Sequence, residues 1–266
     1  MTATDSDAVV ARLRAAGCVF AEDEARLLLE AAEAGAELAT LVARRVAGEP
    51  LEYLVGWAEF HGVRVGVTPG VFVPRRRTEF LVDEAVALAR PSAEVIAVDL
   101  CCGSGALGLA LATARAAEGS STHLAAADID PAAVACARRN LATLNAPVYQ
   151  GDLFDALPGD LRGRVDILLA NTPYVPSGMI ARMPPEARDH EPRTALDGGP
   201  DGLDIFRRVA AGAREWLAPG GRLLVESGAA QAPTALAILA EHGLTGRVAD
   251  SEEYYATVVI GTTCGR

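Results

Sequence analysis

The sequence predicts an α/β fold, a doubly wound and mostly parallel sheet that follows a small helical region. From about Pro74 onward, stretches with strand spacing alternate with stretches with helix spacing, as in folds that connect parallel strands through helices. The first fifty residues instead show helical spacing throughout. With 266 residues, 50% of them apolar, the chain is large enough for both cores.

Three helices are predicted in the first fifty residues, over 8–16, 22–33 and 37–47. Leucines and valines recur there at helical spacing, and Gly17, Gly35 and Gly48 separate the segments. A β-hairpin is predicted next, because apolar side chains alternate before the turn residues Pro69-Gly70; they are Phe60, Val63, Val65 and Val67. We therefore divide the chain into a helical domain (1–55), a hairpin linker (56–73) and an α/β domain (74–266).

The α/β domain is predicted to alternate strands and helices to its end. Strands are expected at 95–100, 124–127, near 148, at 165–170 and 222–226, with a closing pair near 247 and at 257–260. Helices are expected at 78–89, 106–117, 131–144, 203–217 and 231–242, with Asp130 as an N-cap before Pro131. The connection from Val175 to Pro200 is too long for an ordinary loop, so we predict that it covers the site or contacts substrate.

Composition excludes several classes of chemistry. All 24 basic residues are arginine, which removes a Schiff-base lysine and a P-loop lysine. The net charge of −11 disfavours nucleic acid as a partner. The cluster Arg75-Arg76-Arg77 is interpreted either as a solvated group of charges or as a substrate-docking patch.

Cysteine use and the terminus predict a cytoplasmic protein. Five cysteines without a C-x-x-C pair suit a reducing compartment, and the acidic N-terminus lacks the basic start of a signal peptide. No apolar run approaches a membrane span, so no membrane partner is expected. Four scattered histidines predict no metal site.

A glycine loop follows the first strand of the α/β domain. Gly103, Gly105 and Gly108 have the spacing G-x-G-x-x-G, and Asp128 lies at the end of the next strand. This pattern fits a nicotinamide dinucleotide or S-adenosylmethionine. Asp99, at the end of the first strand, suits the cationic amino-acid end of S-adenosylmethionine, which we favour. Asp152 is predicted to hold an adenine edge, with Leu153 against its face.

Asn171-Thr172-Pro173-Tyr174 follows the buried strand 165–170, at the edge where open α/β sheets bind ligands. The Asn171 side-chain oxygen and a main-chain carbonyl can each accept one N–H of a planar amide or amine. Pro173 favours an extended Thr172 and so helps to aim its carbonyl outward. Tyr174 offers a flat face for stacking.

Together these motifs resemble the protein-(glutamine-N5) methyltransferases, enzymes that modify release factors and a ribosomal protein. Residues 73–79 (VPRRRTE) resemble the family's I-P-R-P-D-T-E, residues 99–105 resemble D-L-G-T-G-[ST]-G, and residues 171–174 resemble N-P-P-Y. Residues 48–54, Glu191-Pro192, Gly198-Gly199, 201–203 and 219–226 also fall where the family has them. The pair Cys101-Cys102, Thr172 and residues 184–192 resemble an actinobacterial branch of unassigned substrate.

The resemblance implies that the helical domain serves substrate recognition and that a class I S-adenosylmethionine-dependent methyltransferase domain, Rossmann-like and seven-stranded, follows it. It implies methyl transfer to the side-chain amide nitrogen of a glutamine in a protein, a release factor being suspected, with the glutamine in an exposed loop. The cofactor-binding residues are then Asp99, Cys101, Cys102, Gly103, Ser104, Gly105, Asp128, Asp152, Leu153 and Asn171. The catalytic residues are Asn171, Thr172, Pro173 and Tyr174.

Five positions depart from the family pattern. Cys101 and Cys102 stand for glycine and threonine, Arg76 and Arg77 stand for proline and aspartate, and Thr172 stands for proline. These changes affect the prediction of substrate more than that of methyl transfer. Two alternatives stay open: an N6-adenine nucleic-acid methyltransferase, which uses the same tetrapeptide chemistry, and a catalytically silent cofactor-binding interaction module.

Overall fold

The computed structural model describes residues 3–89 and 94–264, and its first part is helical. The helices are α1 (Ala3–Ala15), α2 (Ala21–Glu33), α3 (Leu38–Val46) and α4 (Leu51–Val55). Strands β1 (Trp57–Phe60) and β2 (Val63–Gly66) pair antiparallel, which confirms the predicted hairpin. Helix α4 was not predicted. It is a short helix that ends at Gly56, whose φ of 84° only glycine adopts readily.

The α/β part alternates helices and strands as predicted. Its elements are α5 (Glu79–Leu88), β3 (Val95–Leu100), α6 (Ala106–Ala117), β4 (Thr122–Asp128), α7 (Pro131–Asn140), β5 (Val148–Gln150), β6 (Val165–Ala170), α8 (Pro185–His190), α9 (Asp204–Trp216), β7 (Leu217–Ser227), α10 (Ala232–Glu241), β8 (Leu244–Ser251) and β9 (Ala256–Thr263). The predicted bounds of β3, α6 and β6 are the observed ones. The Asp130 side chain caps α7 by accepting the N–H of Ala132 at 2.7 Å.

Within the described residues, seven strands form one sheet in the order β5-β4-β3-β6-β7-β9-β8. Strands β5, β4, β3, β6 and β7 pair in parallel, and β9 lies antiparallel between β7 and β8. This arrangement confirms the predicted α/β fold class. The chain leaves β3 toward β4 and later returns on the other side of β3 as β6. The carboxyl ends of these strands therefore meet at a topological switch point, where such sheets bind ligands.

Helices cover both faces of the sheet. One apolar cluster joins the sheet to α5, α6 and α7 through side chains such as Leu81, Leu111 and Val134. A second cluster joins the other face to α9 and α10 through Phe206 and Leu239. The central strands are buried on both faces, which explains their continuous apolar runs.

The structure also differs from the sequence prediction at other element boundaries, among them the start of α1, which begins at Ala3 and not at residue 8. Helix α7 ends at Asn140, because the chain continues as a 3₁₀ turn to Asn145, which takes a left-handed φ of 51°. Strand β7 begins at Leu217, five residues before the predicted 222, directly after α9. Residues 175–200, here called the covering segment, contain 3₁₀ turns and the short helix α8, which starts at Pro185.

Hydrogen bonds and ion pairs of side chains join the N-terminal helices, the hairpin region and the α/β part. The Tyr53 hydroxyl donates to the Val71 carbonyl at 2.7 Å. Arg45 of α3 pairs with Glu24 of α2 at 2.6 Å and with Glu186 of α8 at 3.4 Å. The Asn140 amide nitrogen of α7 donates to the Gly66 and Ser104 carbonyls, each at 2.8 Å. The division at residues 55 and 73 stays a prediction. In the part of the chain described, no helix is long and apolar enough to cross a membrane.

Candidate active site

A cleft opens at the carboxyl edge of the sheet, between β3, β4, β5 and β6. Most of the predicted site residues lie along it, and the covering segment and residues 70–78 form its other wall. From the predicted set the lining contains Cys101, Cys102, Gly103, Ser104, Asp128, Asp152, Leu153, Asn171, Thr172, Pro173 and Tyr174. The fold thus brings together residues from four separate loops.

The glycine loop turns sharply before α6 and leaves room at its outer side. Gly103 and Gly105 have φ values of 54° and 78°, in the left-handed region. A β-carbon on Gly103 would meet no atom within 4 Å, so the main chain of the loop is open to a ligand at this point. Cys101 shares this backbone conformation with a φ of 53°, which is strained for a residue with a side chain.

Asp128 is fixed at the lip of the cleft by main-chain donors. One carboxylate oxygen accepts the N–H of Gly103 at 2.8 Å, and the other accepts the N–H of Asp130 at 2.9 Å. Burial raises the pKa of Asp128, and these hydrogen bonds act in the opposite direction. Each oxygen keeps a further lone pair that can accept from a ribose hydroxyl.

Asp99 lies beneath the loop, outside the cleft lining. Its side chain is fully buried, and Oδ2 accepts the N–H of Gly108 at 2.9 Å. Burial raises the pKa of Asp99 to about 7. In this position the Asp99 carboxylate supports the loop from behind. The predicted direct contact between Asp99 and the cofactor stays a prediction. Gly105 likewise packs inward, against Ala137 and Leu141 of the α7 region.

Asp152 and Leu153 line the cleft opposite the glycine loop. Arg208 of α9, which was not predicted, donates to Asp152 Oδ2 at 2.8 Å. Leu153 has a left-handed φ of 50°, and the structure turns it into the lining. The apolar Leu153 side chain can pack against the face of a purine, and the Asp152 carboxylate can accept hydrogen bonds from its edge.

The open loop at Gly103, the fixed Asp128 and the pair Asp152 and Leu153 therefore fit S-adenosylmethionine. They offer an open stretch of main chain, an acceptor for hydroxyls and an apolar surface after β3, β4 and β5 in turn, and the Gly103 N–H itself donates to Asp128. Cys101 and Cys102 also line it, and burial raises the pKa of both thiols, so they remain protonated side chains.

Asn171 and the residues after it form the wall next to the glycine loop. In the described part of the chain, the Asn171 side chain has no hydrogen-bond partner, so its amide is available to a ligand. Thr172 is buried. The Tyr174 carbonyl accepts from Gln231 Nε2 at 2.9 Å, and the Tyr174 hydroxyl donates to Glu226 at 2.8 Å.

Two buried glutamates each pair with an arginine of the 75–77 cluster: Glu191 lies in the cleft lining, and Glu226 lies behind Tyr174. Arg75 donates to Glu191 at 2.5 Å, and Arg77 donates to Glu226 at 2.9 Å. Burial raises the pKa of Glu191, which Arg75 partly offsets. Arg75 and Arg77 are therefore tied to the site, whereas Arg76 is outside the cleft lining, and neither interpretation of the cluster from sequence included these pairs.

Sequence reasoning missed Glu226, Gln231 and Arg208. Glu226 gave one signal, a carboxylate at the end of an apolar strand, and we interpreted it only as a strand boundary. The partners of all three residues are distant in sequence: 149 positions separate Arg77 from Glu226, and 57 separate Gln231 from Tyr174.

Comparisons with known proteins agree with this geometry. Residues 63–183 match the family model described as the methyltransferase small domain. The "Release factor glutamine methyltransferase" of Geobacter sulfurreducens is 42% identical over 205 residues, which cover 76% of this chain and 69% of the relative. The protein of the same name from Cereibacter sphaeroides is 38% identical over 259 residues, 89% of each chain. A crystal structure of a methyltransferase from Pyrococcus furiosus has a TM-score of 0.55 at 14% identity, covering 76% of this chain and 90% of that one, and supports the fold alone.

Proposed function

Since this chain belongs to the release factor glutamine methyltransferase family, we propose that it methylates the side-chain amide nitrogen of a glutamine in a release factor. It is an S-adenosylmethionine-dependent methyltransferase. The observation that carries the choice of acceptor is the Asn171 amide, which lies in the cleft beside the glycine loop and has no hydrogen-bond partner in residues 3–89 and 94–264.

The cleft residues account for binding of both reactants. S-Adenosylmethionine supplies a methyl group on a cationic sulfur, which a nitrogen nucleophile can accept. Gly103 would contact it through the main chain, Asp128 through the carboxylate, and Asp152 with Leu153 would hold its base.

An amide nitrogen is a weak nucleophile, because its lone pair is conjugated with the carbonyl. The Asn171 side-chain oxygen accepts one N–H of the substrate, and the Thr172 carbonyl accepts the other. Both hydrogen bonds hold the nitrogen in one orientation, so catalysis is mainly by positioning and by acceptors that favour the developing positive charge. The nitrogen loses a proton only as the new bond forms, so no strong base is required first.

The alternatives are less well supported. Two arginines at the cleft, Arg75 and Arg77, pair with Glu191 and Glu226 and are not free to bind phosphates. Together with the net charge of −11 this disfavours a nucleic-acid substrate. A silent cofactor-binding module would have no need for the free Asn171 amide next to the glycine loop.

The substrate is proposed to present its glutamine in an exposed loop. Tyr174 and the covering segment border the cleft, so the target residue must enter between them. A protruding loop can do so without unfolding of the partner. The cytoplasmic location stays a prediction.

The test is transfer of tritium from methyl-labelled S-adenosylmethionine into a purified release factor from the same organism. Peptide mass spectrometry then locates the methyl group, and an Asn171→Ala variant serves as the negative control. Label on a glutamine side chain that survives nuclease treatment supports the proposal. Label that nuclease removes, or no label despite calorimetric binding of the cofactor, contradicts it.

A further inference from the structure

Two donors converge on one carboxylate oxygen behind the wall of the cleft. The Tyr174 hydroxyl donates to Glu226 Oε1 at 2.8 Å, and Arg77 Nε donates to the same oxygen at 2.9 Å. The Arg77 guanidinium carbon also lies 5.8 Å from the centroid of the Tyr174 ring. We call these three residues the tyrosine network.

Arg77 offsets the free-energy cost of burying the charged Glu226 side chain. Glu226 is 3% exposed, and its Oε2 has no hydrogen-bond partner among the described residues. A buried carboxylate without a nearby cation is costly, and Arg77 is the cation beside it. Burial, together with the Glu226 charge, raises the pKa of Tyr174 far above neutral, so its hydroxyl stays a donor.

The network holds the side chain of a residue whose main chain is already fixed. Gln231 Nε2 donates to the Tyr174 carbonyl at 2.9 Å, and Gly198 N–H donates to the carbonyl of the next residue, Val175, at 2.9 Å. The remaining freedom of Tyr174 is rotation about its side-chain bonds. The hydrogen bond to Glu226 removes that rotation, and Arg77 lies near the ring.

We propose that Arg77 and Glu226 are positioning residues for the methyl transfer: they hold the Tyr174 ring in the orientation that shapes the target side of the cleft. Arg77 also lines the cleft, and the proposal assigns its effect to Glu226 and Tyr174 and not to a direct contact with the reacting atoms. The inference rests on the proposed function for its kinetic consequence, although the ring orientation is a property of the protein alone. The family pattern that residues 73–79 resemble has an aspartate at position 77. A charged aspartate has no hydrogen to donate to the Glu226 carboxylate, so it cannot replace Arg77 in this contact.

The kinetic test compares Arg77→Met with Arg76→Met, since both arginines are exposed and Arg76 has no ion pair among the described residues. We expect Arg77→Met to lower kcat by about ten- to 100-fold, because small displacements of positioning groups have effects of this size. The Kd for S-adenosylmethionine should change by less than about threefold, and Arg77→Lys should restore most of kcat, as it returns a donor and a charge. Arg76→Met should match the wild type.

A double-mutant cycle tests whether Arg77 acts through the tyrosine. In a Tyr174→Phe background the hydroxyl bond to Glu226 is already absent. Arg77→Met should then lower kcat by no more than about threefold, since the two changes remove one shared interaction. An effect of equal size in both backgrounds would overturn the inference.

A second readout needs no substrate. The protein is labelled with 3-fluorotyrosine, and the Tyr174 fluorine resonance is identified by its loss in Tyr174→Phe. We expect Arg77→Met to shift and broaden this resonance, with Arg76→Met leaving it unchanged and circular dichroism showing both variants folded. If the resonance is the same in both variants, the inference is overturned. Absence of any methyl transfer by the wild type overturns the proposed function instead, and the resonance still decides the positioning role.

Discussion

Replacing Gly198 by alanine is expected to displace residues 172–173 of the cleft wall, because Gly198 lies in the covering segment directly against them. A β-carbon at this position would lie 2.4 Å from the Pro173 carbonyl oxygen and 2.7 Å from the Gly202 carbonyl oxygen. Both atoms belong to the main chain, so no side-chain rotation relieves the contact. The added methyl group must therefore push the covering segment and the residues at 172–173 apart.

The size of this effect follows from the contact distances. Overpacking of this kind costs about 1–3 kcal/mol, and a main-chain clash belongs in the upper half of that range. For a chain of this length each kcal/mol lowers Tm by roughly 2–4 °C, so we expect a decrease of about 4–12 °C. Displacing an acceptor carbonyl by even a fraction of an ångström should also lower kcat by about tenfold or more.

Gly178→Ala is the matched control, because a β-carbon there meets nothing within 4 Å in the same covering segment. Thermal unfolding and methyl transfer are measured for both variants, with cofactor binding measured by calorimetry. Gly198→Ala should lose stability and kcat while its Kd for S-adenosylmethionine changes little. If it behaves like Gly178→Ala in both assays, the reasoning from the close contact at Pro173 is refuted.

Three further predictions concern single residues of the site. Asn171→Ala should lower methyl transfer by about 100-fold or more, as the loss of one aligned hydrogen-bonding group does in other enzymes, in a filter assay with tritiated cofactor. Cys101→Gly should be neutral or more stable by up to about 1 kcal/mol, and Cys101→Val less stable by about 1–2 kcal/mol in urea unfolding, because the φ of 53° suits glycine. The pKa of Asp99 is raised to about 7, so the folded chain keeps a proton that the unfolded chain releases, and stability falls as pH rises toward and through 7. From about pH 5.5 to about pH 8 this loss amounts to roughly 2 kcal/mol, and Asp99→Asn should lack it.

Each of these predictions has a result that contradicts it. Near-normal turnover of Asn171→Ala would remove the amide from the mechanism. Equal stability of the glycine and valine variants at Cys101 would show that the loop bears no strain. The pH series is measured by denaturant unfolding of wild type and Asp99→Asn in parallel, and identical slopes would mean that another group titrates.

The spacing of apolar residues along the chain predicted the strands and loops that position the site. Contacts between residues that are distant in sequence were not predicted. Strands β3 and β6 were predicted to the residue, since a strand buried on both faces leaves an uninterrupted apolar run that polar residues end sharply. The glycine spacing and the tetrapeptide were visible because their residues are contiguous. The partners of Glu191 and Glu226 were not, because 116 and 149 positions separate them from Arg75 and Arg77. Asp99 was predicted at the mouth, but its place behind the loop depends on the hydrogen bond from Gly108, which spacing alone does not reveal.

The ion pairs of Arg45 have a mechanical consequence. One guanidinium contacts Glu24 of α2 and Glu186 of α8, so the N-terminal helices and the segment over the cleft share a support. Helix α3 cannot move by several ångströms without either breaking the bond to Glu186 or carrying α8 with it. Helix α8 belongs to the covering segment, so a displacement of α3 that preserves this ion pair also moves part of that segment.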